Sequence, residues 1–368
     1  MKPYSITKLR NILKRNQFLY FLKQELTDID FKKYKKEMTE SSIKSKAKIQ
    51  AEMALIKNYW KCKPLHYIRY QLYNKHLSDE ELLDYIPPYF HYNFYNAQLF
   101  KNIDTAFYSD KYNLAKLFAE RGIPAPATIA IIRNNHATNF HGVEINLEEI
   151  ASNLKEGEKL FIKPTNGKGG TDIIVVKRIN NKLLLNGEDL DVKKIINTCD
   201  KRHCYIVQYG IHQRADINTI NPTSVNTLRA ITQWRNNRPT MPVCVMRIGR
   251  NGKDVDNSHQ GGLSIQVDTQ TGKLAEFCTS EHGGGKYYTH PDSSVIFNDF
   301  YIKEWDMINN SILDFAKKIP EIPEIAWDIA ITDNGAEAIE LNIGYGITHL
   351  QCCCGGLRRI LNIYPNNQ

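Results

Sequence analysis

The spacing of hydrophobic residues predicts helices in the first part of the chain. Residues 25–34 and 41–60 carry apolar side chains at intervals of three and four, which is typical of amphipathic helices. A double proline interrupts this pattern just before the aromatic run 89–94, and we expect that run to form a connector. The pattern therefore predicts a basic, mostly helical N-terminal module over residues 1–105.

Beyond residue 105 the pattern changes to short strands joined by Gly, Asn and Asp turns. Helices are predicted over 110–121 and 303–319. Strands are predicted over 128–133, 160–164, 173–177, 205–209, 227–233, 241–248, 263–267, 274–279, 326–332 and 336–342. Mixed strands with few helices favour an α+β architecture. We divide this part into a first lobe, residues 106–207, and a second lobe, residues 208–368.

Composition and charge narrow the class of protein. The 368 residues are 42% hydrophobic and 24% charged, which excludes wholesale disorder. The sequence contains neither an apolar run of membrane-spanning length nor a secretory signal, so we expect a cytoplasmic protein. Its eight cysteines form no CxxC pair and have no Cys/His zinc spacing, which favours reduced thiols.

The positive charge is confined to one end of the chain. Residues 1–100 hold 18 Lys and Arg against 10 Asp and Glu, which equals the whole net charge of +8. A basic region beside a neutral one favours an anionic partner, such as a phosphate-rich substrate, a membrane surface or nucleic acid. A solvated helical face explains the same charges equally well, and both interpretations stay open.

An acidic pattern near the C-terminal end predicts a cation site. The turn Asp333-Asn334-Gly335 joins two predicted strands and folds Asp328 back beside Glu340. Glu340 and Asn342 are two residues apart on a strand, so they point to the same face. Three such oxygen donors suit Mg²⁺. Solvated polar residues are the alternative, but a polar pair within an apolar strand needs a partner.

A lysine followed by a glycine-rich loop predicts an anion site earlier in the chain. Lys163 alternates with apolar residues in a predicted strand, where an unpaired ammonium is costly to bury. Gly167, Gly169 and Gly170 come directly after it and allow backbone N–H groups to approach a phosphate. A purely structural glycine-rich hairpin is the alternative. Together with the acidic pattern, the loop indicates a nucleotide site.

These motifs, in this order, resemble those of the ATP-grasp superfamily. The resemblance is close to the sugar-transfer-associated ATP-grasp enzymes, which are found with polysaccharide biosynthesis, and it covers about residues 106–365. Further matching pieces are Asp110-Lys111, Gly122-Ile-Pro-Ala-Pro126, Ser224-Val-Asn-Thr-Leu-Arg229, Gln260-Gly-Gly262 and Cys354-Gly-Gly-Leu-Arg358. The resemblance implies an ATP-grasp fold, in which two α+β lobes hold ATP between them.

The resemblance also implies a role for individual residues. The expected sites are Lys111 and Lys163 for the ATP phosphates, Gly167, Lys168, Gly169 and Gly170 for the closing loop, Gln208, Tyr209 and Ile211 in the hinge that contacts adenine, Asp216 for the ribose, Arg229 for the γ-phosphate, and Asp328, Glu340 and Asn342 for two Mg²⁺ ions. The family often has Glu at the position of Gln208. Arg229, Arg247 and Arg358 are candidates for binding a substrate carboxylate, because a guanidinium group binds carboxylates bidentately.

The implied activity is an ATP-dependent carboxylate–amine ligase that works through an acyl phosphate. We expect small or glycan-linked acids and amines as substrates, in capsule, lipopolysaccharide or other surface-glycan synthesis. The basic N-terminal region would then contact glycan-assembly proteins or the inner face of the membrane. The alternatives are a ligase that adds an amino acid to a protein or peptide, and a non-catalytic nucleotide- or nucleic-acid-binding protein. Nucleic acid is the least expected partner, because every motif lies in the neutral part of the chain.

Overall fold

The computed structural model describes residues 31–167, 172–190, 195–252, 261–280 and 285–365, with side chains from residue 35 onward. These residues form two compact units. The helical unit contains residues 31–101, 280, 285 and 346–365, and the two-sheet unit contains the others. Throughout the described ranges, every helix is too short or too polar to cross a lipid bilayer.

Both units are built from short elements. The helices are α1 (Phe31–Ser41), α2 (Lys46–Trp60), α3 (Leu65–Arg69), α4 (Asp79–Leu83), α5 (Pro88–Phe90), α6 (Asn96–Leu99), α7 (Thr105–Ser109), α8 (Lys111–Glu120), α9 (Leu147–Ser152), α10 (Ala215–Asn218), α11 (Trp305–Lys317), α12 (Thr348–Cys354) and α13 (Arg358–Leu361). The strands are β1 (Thr128–Arg133), β2 (His136–Thr138), β3 (Lys159–Pro164), β4 (Ile174–Ile179), β5 (Lys182–Leu185), β6 (Glu188–Asp189), β7 (Tyr205–Tyr209), β8 (Thr227–Arg235), β9 (Arg238–Ile248), β10 (Leu263–Val267), β11 (Thr279–Ser280), β12 (Glu324–Thr332) and β13 (Gly335–Asn342).

The helical unit contains one clear departure from the sequence-based expectation. The aromatic run 89–94 is helical rather than a connector, because a π-helical turn, His91–Tyr95, joins α5 to α6 without a break. Pro88 occupies the first turn of this helix, where a missing N–H costs no hydrogen bond. Further along the chain, α4 begins with the capping box that Ser78 and Glu81 form.

The C-terminal residues 346–365 belong to the helical unit, although the sequence-based division placed them in the second lobe. The side chain of Gln351 accepts from the backbone N–H of Ile86 at 2.8 Å and donates to its carbonyl at 2.9 Å. The backbone N–H of Leu357 donates to the carbonyl of Asp84 at 2.8 Å. These contacts join residues more than 250 positions apart, which local sequence patterns do not reveal.

The two-sheet unit contains two antiparallel sheets. The seven-stranded sheet has the order β2-β1-β7-β3-β4-β5-β6, and the six-stranded sheet has the order β11-β10-β9-β8-β12-β13. The predicted strand 274–279 is the exception to the sequence-based assignment. Its residues pair one at a time with different segments, Leu274 with Val267 and Cys278 with Tyr287, so it does not form a continuous ladder.

Replacing Gln351 tests how strongly the C-terminal segment stabilises the helical unit. Gln351→Leu leaves the buried N–H and C=O of Ile86 without their partner, and each unpaired group costs about 1–3 kcal/mol. We expect urea unfolding to show a loss of about 2–4 kcal/mol. The exposed variant Asn93→Ala serves as the control, with an expected change within about 0.5 kcal/mol. Equal effects of the two variants would contradict this account.

Candidate functional site

Charged side chains form a row across one face of the six-stranded sheet. Arg229 on β8 lies opposite Asp328 on β12, and Asp328 lies opposite Glu340 on β13. Directly opposed residues of antiparallel strands point to the same face of a sheet. Arg247 on β9 shares this face, because its strand partner is two residues before Arg229. Asn342, two residues after Glu340, completes the row, so the structure brings the predicted acidic residues together.

Asp328 is the centre of this row and accepts from two arginines. The Nε and an Nη of Arg229 lie 2.6 and 3.1 Å from its two carboxylate oxygens, and an Nη of Arg247 lies 3.1 Å away. The Asn342 amide also donates to Asp328, at 3.5 Å. The three charged side chains are largely buried, with Asp328 only 5% exposed. Two buried guanidinium groups therefore contact one carboxylate on this part of the face.

Lys111 connects the helix α8 to this row. Its ammonium group donates to the carbonyl of Gly167 at 2.6 Å and lies 3.4 Å from the Glu340 carboxylate. Its backbone N–H donates to the carbonyl of Thr165 at 2.7 Å, which fixes the start of α8 against the end of β3. The predicted phosphate-binding lysine, the start of the glycine loop and the acidic hairpin therefore meet at one place.

Lys163 lies on the seven-stranded sheet, in contact with Gln208. Its ammonium donates to the Gln208 side-chain oxygen at 3.1 Å. The amide nitrogen of Gln208 donates in turn to the Thr128 hydroxyl at 3.2 Å and to the carbonyl of Pro126 at 3.4 Å. Gln208 is buried and neutral, so it orients Lys163 without neutralising its charge.

The environment lowers the pKa of Lys163 to about 8. The main cause is removal of the ammonium group from water, which disfavours its charged form. The nearby Glu340 acts in the opposite direction, and Lys111 lowers the pKa further. Both effects require that the Lys163 ammonium lies near the charges of Glu340 and Lys111. Lys163 belongs to the seven-stranded sheet, whereas Glu340 belongs to the six-stranded one.

The glycine loop is described only at its start. The backbone N–H of Gly167 donates to the carbonyl of Pro164 at 3.2 Å, and an added Cβ would lie 3.2 Å from the Pro164 side chain. This close approach explains a glycine at the first loop position. Lys168, Gly169 and Gly170 lie outside the described residues, so their contacts with phosphate stay a prediction.

A cavity of about 250 Å³ lies at the expected hinge. Residues 209–212, which include Tyr209 and Ile211, line one side of it. The turn residues 332–334 and Glu337 line another side. The sequence pattern missed Glu337, because regular alternation places it on the opposite face from Glu340. A β-bulge between Asp328 and Ile329 changes the register, so no local pattern in β13 gives its position.

Asp216 and Arg358, which we predicted to bind ligands, form ion pairs with other residues of the protein. Burial alone would raise the pKa of Asp216, but its bidentate pair with Arg214, at 2.6 and 2.9 Å, outweighs burial and lowers it. Arg358 belongs to the helical unit, where its Nε lies 3.1 Å from Asp84 and an Nη lies beside Glu80. The ribose contact of Asp216 and the carboxylate contact of Arg358 both stay predictions.

The side chains in the row fit magnesium in part. Glu340 and Asn342 supply hard oxygen donors from one strand face and are only partly buried. The Asn342 amide nitrogen donates to Ala326 and Asp328, and within the described ranges its oxygen has no donor of its own. Asp328 differs, because arginines already occupy both of its oxygens. No group of three His, Cys, Asp or Glu side chains suited to a metal occurs among the described residues.

Sequence comparison identifies the family. Residues 90–362 match the family described as sugar-transfer associated ATP-grasp. The match covers well over half of the chain, so the chain belongs to the sugar-transfer associated ATP-grasp family. The match confirms the predicted family and fold class. It also confirms the predicted class of enzyme, an ATP-grasp ligase. No curated protein matches the chain.

Solved structures with similar folds share little sequence with this chain. D-alanyl-alanine synthetase A from Vibrio cholerae is 11% identical with a TM-score of 0.41, over 69% of this chain and 61% of its own. D-alanine–D-alanine ligase from Bacillus anthracis is 12% identical with a TM-score of 0.40, over 76% of this chain and 77% of its own. This chain thus spans less than two thirds of the first protein, and likenesses this distant carry no conclusion about activity.

Variants at Asp328 and Glu340 separate structural support from ligand binding. Asp328→Asn removes the carboxylate charge that Arg229 and Arg247 both contact, and breaking a buried pair costs about 3–5 kcal/mol. Glu340→Gln removes a single, partly exposed pair with Lys111, worth about 0–1 kcal/mol. We expect this contrast in urea unfolding without nucleotide. Similar losses in the two variants would show that Asp328 does not support the arginines.

Proposed function

We propose that the protein is an ATP-dependent carboxylate–amine ligase that forms an amide through an acyl phosphate. The observation that carries this proposal is that Lys111 forms an ion pair with the Glu340 carboxylate and that Lys163 lies near both. Cationic groups from the first lobe and oxygen donors from the second lobe thereby face a common space. Such an arrangement suits a triphosphate whose charge is shared between lysines and magnesium.

In this proposal each residue has a distinct task. Lys111 and Lys163 bind phosphate oxygens, and the loop from Gly167 covers them. Glu340 and Asn342 would hold magnesium, with Asp328 as a further ligand once its arginines contact the substrates. When bound, two magnesium ions would neutralise charge on the phosphates. Their number and ligands are part of the proposal.

Arg229 and Arg247 are suited to the reacting groups, because the guanidinium fork binds phosphate and carboxylate oxygens bidentately. A carboxylate oxygen of the acid attacks the γ-phosphorus, the bond to the bridging oxygen breaks, and ADP leaves. An amine then attacks the carbonyl carbon of the acyl phosphate, loses a proton and expels phosphate, which leaves an amide. The two arginines stabilise the charge that develops on oxygen in both steps.

We propose glycan-linked or small acids and amines as substrates, in capsule, lipopolysaccharide or other surface-glycan synthesis. The support is the name of the family, which associates its members with sugar transfer. A cytoplasmic location and contact between the basic N-terminal region and the membrane or glycan-assembly proteins are part of the same proposal. The excess of Lys and Arg in residues 1–100 supports attraction to an anionic partner.

Trapping the acyl phosphate tests the ligase proposal without knowledge of the amine. The protein is incubated with MgATP, hydroxylamine and a panel of sugar acids and amino acids. The amounts of ADP and hydroxamate that form are then measured. We expect acid-dependent ADP release with an equal amount of hydroxamate for at least one acid. Glu340→Gln is expected to abolish both, while Asp306→Asn, an exposed acid outside the site, retains both. Tight ATP binding without acid-dependent ADP release would contradict the proposal.

The pKa of Lys163 predicts a pH dependence of nucleotide affinity. The ammonium form that attracts phosphate is nearly complete one pH unit below 8, is half populated near pH 8 and is lost as the pH rises further. The Kd for ATP, measured by calorimetry, is therefore expected to be flat from pH 6.5 to 7.5 and to rise by up to about tenfold per pH unit above 8. Lys163→Arg keeps its charge, so its Kd should stay flat to pH 10. The same rise in this variant would contradict the assignment.

A further inference from the structure

Gln208 makes three of the four hydrogen bonds that its side chain can form inside the protein. Its side-chain oxygen accepts from Lys163 at 3.1 Å, and its amide nitrogen donates to Thr128 and Pro126. The residue is 7% exposed. Without breaking one of these bonds, a ligand could use only the second lone pair of this buried oxygen. A more exposed polar group at the hinge is therefore better placed to contact a nucleobase.

The cavity and the residues proposed to bind phosphate lie at different positions along the β12–β13 hairpin. On β12, Asp328, Ala330 and Thr332 point to one face at steps of two residues. Thr332, which lines the cavity, is four residues from Asp328, or about 13 Å at about 3.3 Å per residue. This distance leaves room for a ribose between phosphates bound at the level of Asp328 and a base near Thr332. The cavity, at about 250 Å³, is smaller than sites for whole drug-sized ligands, about 300–1,000 Å³, and suits one part of a nucleotide.

The β-bulge brings Glu337 to this cavity. Asp328 pairs with Glu340 and Ala330 pairs with Glu337, so Ile339 is the additional residue in β13. Because Asp328 and Ala330 share a face, their partners Glu340 and Glu337 share it too. The two carboxylates therefore lie along one side of the hairpin, Glu340 at the phosphate end and Glu337 at the hinge end.

The carboxylate of Glu337 has one oxygen available to a ligand. Its Oε1 lies 3.2 Å from the hydroxyl of Thr332, a side chain that is 5% exposed. Its Oε2 has no hydrogen-bond partner in the part of the chain that the structure describes. An ionised carboxylate only accepts hydrogen bonds, so a ligand group at this position must be a donor. The amino group at position 6 of adenine is such a donor, whereas hypoxanthine and guanine present an oxygen there.

We propose that Glu337 is a specificity-determining residue that accepts a hydrogen bond from the 6-amino group of the adenine base. This inference rests on the proposed function, since it requires that a nucleoside triphosphate bind with its phosphates at Lys111 and Lys163. Glu337 is more exposed than the buried Gln208 and is therefore better placed for this contact. The protein therefore prefers ATP over nucleotides with an oxygen at position 6.

Calorimetric titration of the full-length protein with MgATP and magnesium inosine triphosphate tests the inference. The two nucleotides differ at position 6 of the base and at the adjacent N1, which carries a hydrogen in inosine but not in adenosine. We expect the wild type to prefer ATP by about tenfold or more, because a site built to accept a donor rejects an acceptor. Glu337→Gln keeps the shape and the Thr332 contact but offers either a donor or an acceptor, so the preference should fall to about threefold or less.

Asp306→Asn is the control for charge, because Asp306 is an exposed acid of the two-sheet unit that does not line the cavity. This variant should keep the wild-type preference. Purine riboside triphosphate, which lacks any group at position 6, gives a second measurement on the wild type alone, so the test does not depend on the folding of Glu337→Gln. We expect it to bind about tenfold more weakly than ATP.

The outcomes separate the inference from the proposed function. Equal affinity of the wild type for ATP and inosine triphosphate, or an unchanged preference in Glu337→Gln, would overturn the role of Glu337 while leaving nucleotide binding intact. Failure of the wild type to bind any nucleoside triphosphate would overturn the proposed function, and the inference with it. A loss of preference in Asp306→Asn as large as that in Glu337→Gln would show a general effect of charge rather than recognition by Glu337.

Discussion

The Asp328 carboxylate is shared by Arg229 and Arg247 in the interior of the six-stranded sheet. Isolated charges are costly to bury, and this one carboxylate offsets that cost for both arginines by accepting from each. The two guanidinium groups are thereby held on one face of the sheet. Arg229, Arg247 and Asp328 depend on one another, so the loss of one disturbs the contacts of the other two.

The lysines supply the second half of the electrostatic arrangement. Lys111 is fixed at the start of α8 by its backbone bond to Thr165, and Lys163 is oriented by the neutral amide of Gln208. Neither contact neutralises the lysine, and the Glu340 carboxylate near both lysines is partly exposed. The protein therefore holds its positive charges in place before any anion binds. Such preorganisation spares the cost of reorientation when charge develops during a reaction.

The helical unit combines two parts of the chain with different relations to the family. Residues 31–89 precede the family match, whereas residues 346–362 lie inside it. Gln351 joins the two parts through the backbone of Ile86, and Arg358 joins them through Asp84 and Glu80. The N-terminal residues of this unit are therefore integral to the folding of the last part of the family match.

Local sequence patterns predicted most of the strands, the acidic hairpin and the lysine with its glycine loop. These features depend on alternation, turn residues and spacing, all of which are local. The folded structure was needed to show that Asp328 pairs with arginines, that Gln351 binds Ile86 and that Glu337 faces the hinge cavity. The first two are contacts between residues far apart in the chain, and the third depends on a bulge of one residue in β13. The spacing of residues along a strand records neither distant partners nor a shift in register.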